Sequence, residues 1–356
     1  PYRALWSNID FAKGVLGKTI KKGDNTISIL PMAHMYGMSF EFLFEFLHGC
    51  HVFYLTRVPS PAIIAQAFKD VKPAIVIAVP LVIEKIIRKK VFPQIQNTKV
   101  KLLMKMPGVG KKVKKRICEQ VYQAFGGNLY EVIIGGAALN QEIESFLKDI
   151  DFPFTVGYGA TECAPIITYS DWHDFVPMSC GREVVHMEVK IDSENPETVP
   201  GEILARGLNV MLGYYKNDEA TAQTIDKDGW YHTGDLGLMD KGGNVFIKGR
   251  SKNMLLGPNG QNIYPEEIED KLNSMTFAME SVVVQRDGKL VGLVHPDFDE
   301  VQAMGLSRDD LQSLMEENRV QVNANLPVYC KIAAIEIHDE EFEKTPKKSI
   351  KRYLYK

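Results

Sequence analysis

Three short apolar runs constrain the fold most: Ala74-Ile-Val-Ile-Ala78, Tyr130-Glu-Val-Ile-Ile134 and Phe154-Thr-Val156. Each is short, rich in β-branched or aromatic residues, and soon followed by Pro80, Gly135-Gly136 or Gly157. Such runs read as strands buried on both faces. Helical patterns separate them. Gln66 onward reads as a helix leading into the first strand, and a second helix starts after Pro80. A third spans Asn140 to Lys148, with Asn140 as N-cap and Glu142 and Glu144 in the first turn, where the helix dipole favours negative charge. Ile143 occupies the position a capping box would need for Glu or Gln. This strand–helix–strand alternation predicts α/β layers with parallel pairing.

From Val184 the texture changes. Alternating runs at His186–Ile191, Gly201–Ala205 and Asn244–Ile247 are separated by turn signals at Asp228-Gly229 and Lys241-Gly-Gly243. They predict a small β-rich, barrel-like subdomain. Beyond Gly249-Arg250, a helix is expected over Pro265–Ser274, strands over Ser281–Gln285 and Leu290–His295, and a helix over Ser307–Leu326. The fold class is therefore α/β plus α+β. Residues 1–183, 184–250 and 251–356 read as successive regions, with a domain boundary expected after Gly249-Arg250.

Length and charge narrow the function. A chain of 356 residues with 45% apolar content can bury sizeable cores, and a net charge of -3 gives no global reason to expect nucleic acid. Cys50, Cys118, Cys163, Cys180 and Cys330 show no CxxC spacing, which favours free thiols. His48-Gly-Cys-His51 lacks a second ligand pair and reads as a strand edge beside a turn rather than zinc. Pro107-Gly-Val-Gly-Lys-Lys112 fails as a phosphate loop: Lys105 stands where its first glycine should be, and Lys112 where Ser or Thr should follow. Lys85 to Arg116 is strongly basic. It is either a solvated helical face or a patch for anionic lipid or another polyanion.

Glycines at 135, 136, 157 and 159 follow strand ends, where α/β sheets bind ligands and backbone must come close to them. Tyr158, between two of them, can offer its ring to a planar base. Thr161 can donate to a phosphate oxygen. Glu162 is a hard oxygen ligand suited to Mg²⁺ shared with phosphates. Far downstream, Asp235 is read as a carboxylate in a tight turn able to accept both hydroxyls of a ribose. Arg250 supplies a fork of donors.

In this order the motifs resemble the adenylate-forming superfamily of acyl-CoA synthetases, luciferases and adenylation domains. They run Pro31-Met-Ala-His-Met-Tyr-Gly37, Gly135-Gly-Ala-Ala-Leu139, Tyr158-Gly-Ala-Thr-Glu162, Gly201-Glu-Ile-Leu-Ala-Arg-Gly207, Tyr231-His-Thr-Gly-Asp235, Gly249-Arg-Ser-Lys252 and Gly260-Gln-Asn-Ile-Tyr-Pro-Glu-Glu267. The lysine-rich insertion between Pro80 and Gly126 resembles the long-chain fatty acyl branch. The resemblance implies a two-step reaction. A carboxylate attacks the α-phosphate of ATP to give acyl-AMP and pyrophosphate, and the thiol of coenzyme A then displaces AMP. It further implies that Gly135, Gly136 and Ala137 line the adenine and acyl side and that Tyr158 stacks on adenine. Thr161 would hold phosphate, Glu162 Mg²⁺, and Asp235 and Arg250 the ribose. His34 would sit at the mouth of the acyl pocket or simply pack. Lys252 matches a domain hinge, and Gly260 the glycine that lets the coenzyme A tunnel form. ATP or AMP, Mg²⁺ and coenzyme A are the expected ligands, with no tightly bound prosthetic group, and fatty acid is the expected substrate.

Two departures qualify the resemblance. The family's Ser/Thr/Gly-rich phosphate loop is absent, so the chain reads as the C-terminal part of a longer enzyme, inactive by itself. The family's adenylation lysine falls at Ser349, leaving Lys348, preferred over Lys351, to serve. The alternatives are an adenylation domain that loads a carrier protein, and a non-catalytic nucleotide- or lipid-surface module. The expected location is the cytoplasm, with the basic segment touching the inner face of a membrane.

Overall fold

The computed structural model describes residues 1–55, 61–95, 102–104, 106–257, 260–345 and 350–355, with Pro61, Ala62, Lys89, Lys90 and Gln94 described in their backbone alone. The chain separates into two compact units. One holds Pro1–Thr233 and Gly237–Ile247, the other Gly234–Leu236 and Lys248–Lys356.

The first unit contains the expected parallel sheet. Strands Ile75–Ala78, Glu131–Ile134 and Phe154–Val156 pair in sequence order, with Ile75 opposite Glu131 and Val132 opposite Phe154. All four residues of Ile75–Ala78 are buried, as a strand covered on both faces requires. The helix Pro80–Ile86 opens with proline at its first turn, where a missing N–H costs nothing. Asn140 caps Gln141–Asp149 through Oδ1, which accepts from the amides of Glu142 (3.2 Å) and Ile143 (3.3 Å).

Three further pieces of this unit matter below. The helix Tyr2–Val15 buries Asn8 completely. A second parallel pair joins Asn25–Ser28 to His51–Tyr54. The helical stretch Gly37–Phe44, continued by Glu45–His48, ends at Gly49, whose φ of 85° makes the left-handed cap. His48 stacks on Phe44 and places Nε2 2.6 Å from the Ile20 carbonyl, so it is a packed histidine.

Two carboxylates on that helical stretch are buried. Glu41 accepts from the Ser28 hydroxyl (3.0 Å) and the amides of Ile29 (3.1 Å) and Leu30 (2.9 Å). Glu45 accepts from Thr26 Oγ1 (2.7 Å). Burial pushes Glu41 up to about 8 and raises Glu45 as well. Nothing in the sequence pattern marks these acids as interior.

The β-rich region is an open sheet in the order Val245–Arg250, Tyr231–Met239, Gly201–Gly207, Met187–Asp192; among the described residues it does not close into a barrel. Met187–Asp192 alternates strictly between buried and exposed, which is the pattern that identifies it in the sequence. Trp230 lies under two cations, with Lys190 Nζ 4.1 Å and Arg206 Cζ 4.5 Å from its ring centroid.

The second unit is α+β. Ala278–Arg286 and Lys289–Pro296 form a hairpin through Asp287-Gly288, both at positive φ, which matches the right-handed twist of the strands. Ile332–Ile337, which the sequence reading omits, adds in parallel to Lys289–Pro296 after the helix Arg308–Ala324. Ser307 caps that helix in a reciprocal box with Asp310. Glu269, buried on the helix Pro265–Asn273, accepts from the Val283 amide (2.5 Å) and pairs with Arg352. Burial raises its pKa to about 7 despite that arginine.

Candidate active site

The site in the first unit is built on the loop between two paired strands. Tyr158–Gly159 pairs with Ile166–Tyr169, Tyr158 opposite Thr168 and Gly159 opposite Ile166. At Gly159 a Cβ would lie 2.2 Å from the Pro165 carbonyl oxygen, so only glycine lets the loop close. A helical turn, Thr161–Cys163, fills it.

Three distant side chains hold this loop. Asn8 Nδ2 donates to the Cys163 carbonyl (3.1 Å), and Asn8 Oδ1 accepts from the Ile166 amide (2.9 Å). Ser39 Oγ donates to the Ala164 carbonyl (2.8 Å), and Asn209 Nδ2 to the Ile166 carbonyl (2.7 Å). All three are buried, so these bonds satisfy groups that would otherwise be stranded from water. Nothing local in the sequence announces any of the three, because their partners lie so far away.

Thr161 and Glu162 line a cavity of about 360 Å³ together with Met35, Ala164, Asn209, Met211 and residues of the first helix. The Glu162 carbonyl accepts from the Met211 amide (2.7 Å), and its Oε1 accepts from the Tyr214 hydroxyl (2.8 Å). Burial, and then the Glu162 carboxylate, raise the pKa of Tyr214, which keeps it a donor.

Gly135, at the end of the central strand, lies beneath Tyr36: a Cβ there would be 3.1 Å from the ring. Tyr36 Oη donates to the Ile133 carbonyl (3.1 Å). Gly136, at φ 89°, and Ala137 are exposed beyond it. Within the Pro31–Gly37 motif it is Met35 that lines the cavity, and His34 is half-buried at the adjoining turn. Tyr158 is 7% exposed and belongs to the hydrophobic core. Its ring is therefore packed rather than laid open between its two glycines.

The second unit carries the other candidates. Asp235 lies within the strand Tyr231–Met239, not in a tight turn, although Gly234 before it bends the backbone to φ 71°. The burial alternation of that strand runs unbroken through the motif, Gly234 included. Arg250 Nε meets Asp235 Oδ1 at 2.7 Å, with the arginine side chain 62% exposed and the aspartate 9%. Lys252 is exposed in the helical turn Ser251–Asn253, and Asn253 Nδ2 bonds Glu266 Oε1 (2.7 Å). Gly260 sits at φ 78° in open space, so its backbone conformation, and not crowding, calls for glycine. Lys348 lies outside the described residues, and Lys351 Nζ is 3.1 Å from Glu343 Oε2.

The donor set suits a cation held jointly with substrate phosphates. Glu162 offers one carboxylate at a cavity, and among the described residues no cluster of three or more His, Cys, Asp or Glu could cage a metal. Mg²⁺ commonly binds through one or two carboxylates and substrate oxygens.

The model of the AMP-binding enzyme family matches residues 3–215. The chain belongs to that family. The match covers His34, Gly135, Gly136, Ala137, Tyr158, Thr161 and Glu162, together with the loop-holding Asn8, Ser39 and Asn209. Asp235, Arg250, Lys252, Gly260 and Lys348 lie beyond it. The chain is 28% identical over 313 residues to the long-chain-fatty-acid–CoA ligase ACSBG2 of Rattus norvegicus, covering 80% of this chain and 46% of that protein. It is 28% identical over 304 residues to long-chain-fatty-acid–CoA ligase 1 of Saccharomyces cerevisiae, covering 79% and 43%. The chain thus spans less than half the length of these relatives. Its fold matches that of o-succinylbenzoate coenzyme A synthetase from Bacillus subtilis, solved with ATP and magnesium, with a TM-score of 0.73, 19% identity and coverage of 99% and 65%.

Proposed function

We propose that this chain provides the adenylate-binding and coenzyme A-accepting parts of an ATP-dependent fatty acyl-CoA ligase of the cytoplasm. The observation that carries the reading is Glu162, a carboxylate fixed beside Thr161 at the lip of a cavity, within the matched region of the family. The names of the relatives supply the substrate class, a long-chain fatty acid.

In this reading the backbone at Gly135–Ala137 and the Tyr158 side receive adenine. Thr161 donates to the α-phosphate, and Asp235 with Arg250 holds the ribose. Mg²⁺, bound through Glu162, would offset phosphate charge as the fatty acid carboxylate attacks. Lys348 would neutralise charge in that step, and rotation about Lys252 would then bring Gly260 and the thiol of coenzyme A into play. The sequence carries no Ser/Thr/Gly-rich run ending in lysine of the kind the resemblance calls for, so the chain by itself is expected to turn over slowly.

The test is a panel of fatty acids from short to long, assayed with ATP in a form extended to the length of the relatives. Acyl-CoA formation that peaks with long chains is expected. Transfer to a phosphopantetheinyl carrier but not to free coenzyme A would replace this reading with that of a carrier-loading domain. Rapid fatty-acid-dependent pyrophosphate release by the 356-residue chain would overturn the slow-turnover expectation.

We also propose that the basic segment rests on anionic lipid. Lys111, Lys112, Lys115 and Arg116 are exposed on the helix Val109–Ala124, next to exposed Leu102, Leu103, Met106 and Val109. Cations beside apolar side chains suit the boundary between headgroups and acyl chains. No helix among the described residues is long and apolar enough to cross a membrane. Sedimentation with phosphatidylserine vesicles should be strong at low salt and weak at high salt. An absence of binding at low salt would dispose of this contact.

A further inference from the structure

The segment following the sheet strand Gly201–Gly207 grips Glu162 twice. The Met211 amide takes its carbonyl at 2.7 Å, and the Tyr214 hydroxyl takes Oε1 at 2.8 Å. Glu162 Oε2 has no hydrogen-bond partner among the described residues. The carboxylate is therefore held by one oxygen and leaves the other available.

Tyr214 is itself fixed. Its amide donates to Thr221 Oγ1 (2.9 Å), and that hydroxyl donates to the Asn217 carbonyl (2.9 Å). At Gly213 a Cβ would lie 2.6 Å from Thr221 Cγ2, so the chain before Tyr214 passes tightly against this threonine. Further back, Arg3 Nη1 and Nη2 bind the carbonyls of Leu208 and Val210, both at 3.1 Å. The phenol thus rests on a braced segment and not on a loose loop.

We propose that Tyr214 is a positioning residue for the divalent cation. It orients the Glu162 carboxylate so that Oε2, and not Oε1, ligates the metal carried by the nucleotide. This rests on the reading of Glu162 as the metal ligand. A neutral donor on one oxygen fixes the rotamer without competing for the charge. Partners of this kind, one bond removed from the metal, commonly hold 10- to 100-fold of metal affinity.

The probe is Mn²⁺ with ATP, titrated onto the 356-residue chain and followed by the loss of the free Mn²⁺ paramagnetic resonance signal. Tyr214→Phe keeps the ring and removes only the hydroxyl. It is expected to weaken Mn²⁺ binding about 10-fold. Glu162→Gln is expected to abolish Mn²⁺ binding, so that the free signal is retained, and Leu212→Ala, an exposed neighbour in the same segment, to bind as the wild-type chain does. Circular dichroism and melting curves confirm that each variant is folded. Loss with Glu162→Gln but no change with Tyr214→Phe overturns the positioning role and leaves Glu162 as the ligand. No Mn²⁺ bound by the wild-type chain, or binding indifferent to Glu162→Gln, overturns the ligand reading and the positioning role with it.

Discussion

Glu162→Gln is expected to lower fatty-acid-dependent exchange of pyrophosphate into ATP by about 100-fold, measured in the form extended to the relatives' length. The substitution keeps shape and removes charge. The amide oxygen of glutamine can still accept from Tyr214, and the Met211 contact is to backbone, so the loop retains its supports. On the proposed reading, what is lost is the anionic oxygen that would anchor the cation against the phosphates, and a hard divalent ion holds poorly to a neutral amide. The residue is half-buried, so the cost in stability should stay within about 1 kcal/mol. Raising Mg²⁺ should recover part of the rate, because the defect is one of occupancy. Full exchange activity at ordinary Mg²⁺ would remove Glu162 from the metal site, whatever else the site does.

The second large effect concerns stability against pH. Burial holds Glu41 and Glu131 each up to about 8, from an ordinary value of 4.5, and raises Glu45 as well. Once unfolded, these acids ionise near their ordinary value; folded, Glu41 and Glu131 keep their protons until about pH 8, and burial keeps Glu45 protonated well above the ordinary carboxylate range. Between those limits the unfolded chain binds fewer protons, so stability declines as pH rises through the window and is greatest on its acid side. The ceiling is a few kcal/mol per group, because each unit of difference is worth about 1.4 kcal/mol. Urea midpoints at pH 5.5 and 8 should differ, the higher value lying at pH 5.5. Glu41→Gln should flatten the dependence by removing one titrating group, while its side-chain oxygen can still accept from the Ile29 or Leu30 amide. Equal midpoints at the two pH values in the wild-type chain would mean that these acids are already ionised in the folded protein.

The sequence makes some of this legible. The parallel strands appear as β-branched runs because a strand covered on both faces has no polar side to show. Asn140 appears as a cap because its partners are two and three residues away. The glycine motifs give the place of the loop at Tyr158–Glu162, since Gly159 is required by a contact across that one short turn.

The rest depends on meetings that spacing does not encode. Tyr214 finds Glu162 across 52 positions, and Asn8 finds Cys163 across 155. Asp235 reads as a turn residue because Thr233-Gly-Asp235 has turn composition, yet the strand runs through a glycine bent to positive φ. Glu41 and Glu45 look like the polar face of a helix. Their interior role comes from hydroxyls at Thr26 and Ser28 and amides at Ile29 and Leu30, supplied by an earlier segment.

The clamp on the site loop also bears on when the site comes into being during folding. Its anchors come from positions 8, 39 and 209, while the loop itself lies at 161–166. Contacts so far apart in sequence require large loops to close before any bond rewards them, and they form late. An intermediate with the parallel sheet in place but the first helix undocked would have ordinary secondary structure and no seat for Glu162. If Glu162 takes the part proposed for it, nucleotide binding would report completion of the whole first unit, and a ligand that requires this seat would favour the last step of its assembly over every partly folded form.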